Sequence, residues 1–249
     1  MNAKKLNANY LKVIAIIAMT IDHIADVIYP SFPADPVAIG MHIIGRLTAP
    51  IMWFFIAEGF YYTKNFPKYL HRMFLFAIIS HFAYCFAFGI PYLPFSQGDL
   101  FNQTSVMWPL AWSLVALFVL YKAEIAQWLK IAILLIINII TFPSDWSCIA
   151  VMAVIAIYSN RGNLKKQMQT MMIWVFIYAV VSFIFVDKLY GVLQLFVLLV
   201  YPVLKLYNGE KGKSSWMKWI FYIYYPAHLI ILGLVRLTLY GNIPLLFHH

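Results

Sequence analysis

The sequence has few charged residues and no pattern typical of a soluble enzyme. Only 11% of its 249 residues are charged and 63% are hydrophobic, whereas soluble domains carry about 25% charged residues. This excludes a soluble globular domain, and the 18% aromatic content excludes a disordered chain. Its two cysteines, Cys85 and Cys148, lie in apolar runs, which argues against a disulfide framework. No zinc, P-loop or dinucleotide motif is present, so no metal site is expected.

Long apolar runs make up most of the chain and are typical of an integral membrane protein. A helix needs about 20 mostly apolar residues to cross a hydrocarbon core about 30 Å thick, and in lipid the backbone must satisfy its own hydrogen bonds. The sequence therefore predicts an all-α, polytopic bundle of about nine transmembrane helices in one domain, residues 1–249. The predicted spans are Tyr10–Tyr29, Val37–Tyr62, Leu70–Ile90, Val106–Tyr121, Ile131–Phe142, Trp146–Tyr158, Met168–Val186, Leu189–Leu204 and Trp216–Leu237. The fifth and sixth are short, and together could form a bent or re-entrant pair.

The distribution of basic residues predicts the orientation of the bundle. Of the 18 Lys and Arg residues, 15 fall in alternate connections, which we interpret as cytoplasmic. The amino terminus is then cytoplasmic and the carboxyl terminus extracytoplasmic, in a multi-pass protein of the inner (cytoplasmic) cell membrane. The first apolar run lacks a small-residue cleavage pattern, so we expect a retained span rather than a signal peptide. The net charge of +9 thus indicates a lipid bilayer as partner and no nucleic acid.

Ionisable residues within the predicted spans are the candidates for function. Such residues cost roughly 2.5–3.5 kcal/mol each on insertion scales and usually face the bundle interior. They occur in four spans, as Asp22, His23 and Asp26, then His42, Arg46 and Glu58, then His81, and finally His228 and, near the outer end of its span, Arg236. Asp22 and Arg46 lie at similar depth, about 10 to 14 Å from the outer surface. We therefore expect these two side chains to form a buried ion pair.

His23 is the candidate general base. Residues three or four apart share a helix face, so Asp26 can orient the His23 ring for proton abstraction. His42 and Arg46 are likewise one turn apart. The alternative for each histidine, including His81 and His228, is a structural hydrogen bond to a carbonyl. Glu58 lies near the cytoplasmic end of its span, where its carboxylate could simply reach the interface.

The predicted cytoplasmic loop between the second and third spans is rich in cations and aromatic residues. Lys64, Lys68 and Arg72 fall within twelve residues of the chain together with several tyrosines. One interpretation is an anchor that follows the positive-inside rule. The other is a docking site for the phosphates of a cytosolic cofactor, because phosphate groups bind several Lys or Arg donors.

Four segments resemble the TraX family of multispanning membrane acetyltransferases: Leu11–Ile24, Ile44–Phe60, Tyr62–Arg72 and Phe221–Leu229. The resemblance implies an acetyl-CoA co-substrate and an acceptor at the membrane. It also implies functional roles for a set of residues matched by position, namely Asp22, His23, Arg46, Glu58, Arg72 and His228. Asp26 departs from the family pattern, which leaves Asp22 or a group on another helix as the alternative orienter of His23.

The residues and the resemblance together predict an acyl-CoA-dependent acyltransferase. Acyl-CoA would bind through Lys64, Lys68 and Arg72, and His23 would deprotonate an amine or hydroxyl of a peptide, lipid or glycan acceptor in the cell envelope. Arg46 would stabilise negative charge beside the reacting carbonyl. The alternatives are a proton-coupled transporter and a non-catalytic assembly factor. Inverted repeats and matched broken helices, which many transporters contain, are not evident.

Overall fold

The computed structural model describes residues 5–30, 33–95, 100–212 and 217–241. Four residues of the sequence predictions lie outside these ranges: Trp216, the predicted start of the last span; Lys4 and Lys213, two of the 15 basic residues in the predicted cytoplasmic connections; and Asp99, in a predicted extracytoplasmic connection. The helices are α1 (Ala8–Ile28), α2 (Pro36–Gly45), α3 (Thr48–Tyr62), α4 (Phe66–Phe88), α5 (Met107–Tyr121), α6 (Gln127–Thr141), α7 (Ile149–Ser159), α8 (Leu164–Phe185), α9 (Lys188–Gln194), a 3-10 helix (Leu195–Leu199), α10 (Val200–Lys205) and α11 (Met217–Tyr240). No β-strand occurs in these ranges, so the described chain is all-α as predicted.

Each predicted span corresponds to one helical segment of the described chain. α2 and α3 follow one another within Pro36–Tyr62, and α9, the 3-10 helix and α10 form Lys188–Lys205. Five segments are long and apolar enough to cross a membrane: Pro36–Tyr62, Phe66–Phe88, Leu164–Phe185, Lys188–Lys205 and Trp219–Tyr240. α5, α6 and α7 are apolar but shorter, with 15, 15 and 11 residues. The structure supports a multi-pass membrane protein, while nine crossings and the sides of the termini stay predictions.

The second predicted span is broken at Arg46 and Leu47, where α2 ends and α3 begins. Pro50 lies in the first turn of α3 and has no backbone N–H, so it cannot donate to the carbonyl of Arg46 as a continuous helix would require. Gly45 lets α2 approach α1 closely, because a Cβ at this position would collide with the carboxylate of Asp22. The break thus brings Arg46, which is buried, next to α1.

The core forms where α1 packs against α2, α3 and α11, and where α3, α5 and α7 pack against one another. Its fully buried side chains include Leu11, Trp53 and Leu110. By contrast, α6 and α8 direct large apolar side chains outward, and Ile139 and Phe185 are more than 70% exposed. These outward apolar faces are what helices in contact with lipid present. Because α1 packs against α2, α3 and α11, its polar residues can contact groups of all three helices.

The basic connections meet at one end of the bundle, which we call the basic end. Leu6 pairs with Tyr207, and Tyr121 packs against Tyr158 with ring centroids 4.7 Å apart. The other end, which we call the opposite end, contains the connections before α5 and α7, joined by the bridge between Thr104 and Ser144. The basic connections, which alternate along the sequence with less basic ones, therefore lie together at one end of the described fold.

Candidate functional site

The predicted ion pair between Asp22 and Arg46 is present and lies in the bundle interior. Nη2 of Arg46 donates to both carboxylate oxygens of Asp22 at 2.9 Å. Nδ1 of His42 lies 2.8 Å from Asp22 Oδ1, and because a carboxylate accepts, this nitrogen is the donor. Nε of Arg46 donates to the His42 carbonyl at 3.3 Å. A buried charge pair needs additional hydrogen bonds of this kind to offset its desolvation.

A glutamine that sequence reasoning missed completes the coordination of Arg46. Nη1 of Arg46 donates to Oε1 of Gln194 at 2.9 Å, and Gln194 in turn donates to the Tyr190 carbonyl. The Arg46 guanidinium also lies 5.6 Å from the Trp146 ring centroid and 5.8 Å from that of Tyr190. The sequence contained a signal that could have identified Gln194: it is an amide within the apolar run Leu189–Leu204, and a polar side chain in such a run usually faces the bundle interior.

His23 is hydrogen-bonded to His228, not to Asp26. Nδ1 of His23 lies 2.8 Å from Nε2 of His228, and the planes of the two rings are nearly parallel, at an angle of 5°. Nδ1 of His228 lies 2.9 Å from the Tyr224 carbonyl. Because a carbonyl can only accept, His228 carries its proton on Nδ1, and its Nε2 accepts from His23 when both rings are neutral. The network thus assigns the free lone pair of His23 to its Nε2 atom.

Three cavities follow one another along the bundle, and His23 lines two of them. A central cavity of about 30 Å³ is lined by His23, Asp22 and Asp145, among others. A cavity of about 240 Å³, the opposite-end cavity, is lined by the same three residues together with Asp26 and Arg46. His23 belongs to the walls of both, and among the described residues its Nε2 has no hydrogen-bond partner.

The largest of these three cavities, of about 480 Å³, lies at the basic end. Its polar lining includes Lys12, Arg72 and Lys211, together with several tyrosines. This volume is within the range of about 300–1,000 Å³ found for ligand pockets. Lys64 and Lys68, predicted as partners of Arg72, are exposed and do not line this cavity. Lys12 and Lys211, which do, lie far from Arg72 in sequence and were not predicted.

Glu58 forms an ion pair at the edge of the basic-end cavity. Arg161 donates from Nε and Nη2 to the two Glu58 carboxylate oxygens, at 2.8 and 3.2 Å. The Arg161 guanidinium also lies 3.4 Å from the Tyr61 ring centroid. Burial opposes the charge of Arg161, but the hydrogen bond and charge of Glu58 outweigh it and raise the pKa of Arg161. This pair joins the end of α3 to the α7–α8 connection.

His81 lines none of the three cavities. Its Nδ1 is 2.9 Å from the Thr104 hydroxyl and its Nε2 is 2.8 Å from the Tyr92 carbonyl. Both ring nitrogens are therefore occupied by local partners. Within the described ranges, no three His, Cys, Asp or Glu side chains are grouped closely enough to bind a metal ion.

The fold and site together define a helical membrane-protein bundle in which a histidine pair and a buried Asp–Arg pair lie between cavities from two ends. The family profile described as TraX protein matches residues 7–236. The chain belongs to the TraX family. It is also 28% identical over 243 residues to a protein of Dichelobacter nodosus named "Probable fimbrial assembly protein FimC, serogroup H1", and the match covers 94% of this chain and 97% of that protein. No solved structure matches the chain.

Proposed function

We propose that this protein transfers an acetyl or short acyl group from cytosolic acyl-CoA to an amine or hydroxyl of a membrane or envelope acceptor. The observation that carries the proposal is the position of His23, whose Nε2 is unoccupied in the described chain while its ring lines two consecutive cavities. A base placed where two substrates can arrive from opposite ends suits transfer between compartments. Membership of the TraX family agrees with this chemistry.

In this proposal the basic-end cavity receives the donor. Lys12 and Arg72 line it and would bind the phosphates of acyl-CoA, in place of the exposed Lys64 and Lys68. Within the described chain, no carboxylate forms a salt bridge with Arg72, whose guanidinium lies about 5.9 Å from the Tyr222 ring centroid. An unpaired cation held by aromatic faces remains available to an anionic ligand.

The proposed reaction needs only groups of this chain and the two substrates. Nε2 of His23 takes the proton of the acceptor amine or hydroxyl, whose nitrogen or oxygen attacks the thioester carbonyl carbon. The new C–N or C–O bond forms, negative charge develops on the carbonyl oxygen, and Arg46 stabilises it from the shared cavity wall. The C–S bond then breaks, and the CoA sulfur recovers the proton from His23.

His228 orients the base in this scheme. Its Nε2 accepts the Nδ1 proton of His23, and the Tyr224 carbonyl holds the other side of its ring. This is the arrangement in which a base is oriented by a third group. Asp22 is engaged with Arg46 and His42 and does not serve as that orienter.

A non-catalytic role in assembly is the second candidate, because the Dichelobacter nodosus relative is named as a probable fimbrial assembly protein. Such a factor would act by contact with a partner chain and would not require an unoccupied imidazole nitrogen. A proton-coupled transporter, the remaining alternative, would use the same histidine without consuming acyl-CoA.

The test compares cells that carry the wild-type protein, His23→Ala or no protein, with the two proteins present at equal membrane level. Envelope fractions are incubated with acetyl-CoA labelled with ¹³C in the acetyl group, and peptides, lipids and glycans are analysed by mass spectrometry. We expect a labelled acceptor only with the wild-type protein. Two results together would overturn the proposal in favour of the assembly role. The wild-type protein would give no labelled product, and His23→Ala would support assembly as fully as the wild-type protein does.

A further inference from the structure

The basic-end cavity and the central cavity are separated by a boundary of three apolar side chains. Met52, Met107 and Phe221 line both cavities. Each is buried, with exposed fractions of 9%, 1% and 7%. They come from α3, α5 and α11, so the boundary joins three helices at the inner end of the basic-end cavity. Any donor that reaches His23 from the basic end must pass between them.

The space beyond this boundary is small. The central cavity has a volume of about 30 Å³, comparable to the space that one or two water molecules occupy. Its remaining apolar wall includes Met19, Leu110 and Tyr225, all buried. An acetyl group adds three non-hydrogen atoms beyond the thioester sulfur. Each further methylene needs room that this cavity provides only if a wall side chain moves.

We infer that Met52, Met107 and Phe221 limit the transferred group to acetyl, by holding the thioester sulfur at the boundary and leaving room beyond it for the three non-hydrogen atoms of an acetyl group. This inference rests on the proposed function and specifies its donor. Methionine suits such a boundary because its unbranched side chain has three rotatable bonds and moves aside for a passing group. The dense packing behind it resists a longer chain.

The test offers acetyl-, propionyl- and butyryl-CoA, each labelled with ¹³C in the acyl group, to purified protein in the presence of envelope membranes from cells that lack it. For the wild-type protein we expect acetyl to be incorporated about tenfold faster than propionyl, or more, because one methylene in an apolar pocket discriminates by about 10- to 200-fold. Met107→Ala removes the most buried boundary side chain and should bring the ratio close to one.

Met52→Ala provides an independent variant on another helix, and Met107→Val provides a milder one if alanine at this position prevents folding. Met171→Ala is the matched control, because Met171 is a fully buried methionine of α8 that lines none of the three cavities. The Met171→Ala protein should keep the wild-type ratio of acetyl to propionyl incorporation.

Two results would overturn the inference while leaving the proposed function intact: equal use of all three donors by the wild-type protein, or an unchanged ratio in folded Met52 and Met107 variants. Absence of label from every donor would overturn the proposed function as well.

Discussion

His23 and His81 are two histidines in predicted spans, of which His23 was favoured as a base because of its charged neighbours, and the structure separates them by their hydrogen bonds. His81 has a partner on each ring nitrogen, the Thr104 hydroxyl and the Tyr92 carbonyl. His23 has a partner on Nδ1 and, within the described residues, none on Nε2, which belongs to a ring lining two cavities. An imidazole with both nitrogens hydrogen-bonded to the protein joins structural elements. An imidazole with one free nitrogen beside a cavity can exchange a proton with a ligand. The number of hydrogen-bonded ring nitrogens therefore indicates better than burial which of the two histidines can act as a base.

The sharpest way to break this comparison is to replace each histidine by alanine. His23→Ala should lower acyl transfer by about 10²- to 10⁴-fold, the usual contribution of a general base. His81→Ala should change activity by at most a few fold but lower the free energy of unfolding by about 1–3 kcal/mol, because it leaves the Tyr92 carbonyl without its donor. Initial rates and thermal melting in detergent measure both. Equal activity losses in the two variants would remove the distinction.

The ion pair next to His23 should behave as a unit. Asp22→Asn or Arg46→Gln alone should destabilise the fold by about 3–5 kcal/mol, because each leaves one buried charge without its counter-charge. The double variant should recover a large part of this loss, since no uncompensated charge remains. Thermal melting of the four proteins gives the coupling free energy. A double variant as unstable as the sum of the single ones would mean that the pair does not set stability.

His228 allows the tautomer of His23 to be tested directly. In His228→Gln the side-chain carbonyl can still accept the Nδ1 proton of His23, whereas in His228→Leu it cannot. We expect the Gln variant to keep more activity than the Leu variant by about tenfold, the equivalent of one hydrogen bond. In ¹⁵N spectra of labelled histidine, His23 should keep an unprotonated Nε2 in the wild-type and Gln proteins. Identical activity and identical spectra in both variants would contradict the orienting role.

An effect of similar size is expected for binding of the donor. Arg72→Ala should weaken acetyl-CoA binding by about tenfold, because a hydrogen bond to a charged group contributes about 1.5–3 kcal/mol. Lys64→Ala is the control, since Lys64 is exposed and does not line the basic-end cavity. Calorimetric titration measures both affinities. Equal weakening by the two substitutions would restore the exposed loop as the docking site.

The helical segments could be predicted because they depend on local apolar composition. Each predicted span matches one segment of the described chain, with ends displaced by a few residues. The pairing of Asp22 with Arg46 could also be predicted, since two adjacent antiparallel helices place residues of equal depth side by side. Counting residues at 1.5 Å each was sufficient for this contact.

Contacts between distant segments could not be predicted in this way. His228 is 205 residues from His23, and their contact depends on the packing of α11 against α1. The contact of Gln194 with Arg46 likewise depends on the packing of segments that are distant in the sequence. Asp145 lies in the connection before α7, outside the predicted spans, yet it lines both cavities next to His23. Lys64 and Lys68 shared the local signal of Arg72, but only Arg72 faces the basic-end cavity.

The basic-end and opposite-end cavities approach each other at the small central cavity, with the apolar boundary of Met52, Met107 and Phe221 on its basic-end side. In an energised membrane, voltage falls mainly across the part that water does not fill, so the electric field would be concentrated on His23 and its neighbours. Moving one elementary charge through 100 mV changes its energy by about 2.3 kcal/mol. The direction in which the proton leaves His23 would therefore couple the energetics of this chemistry to the membrane voltage.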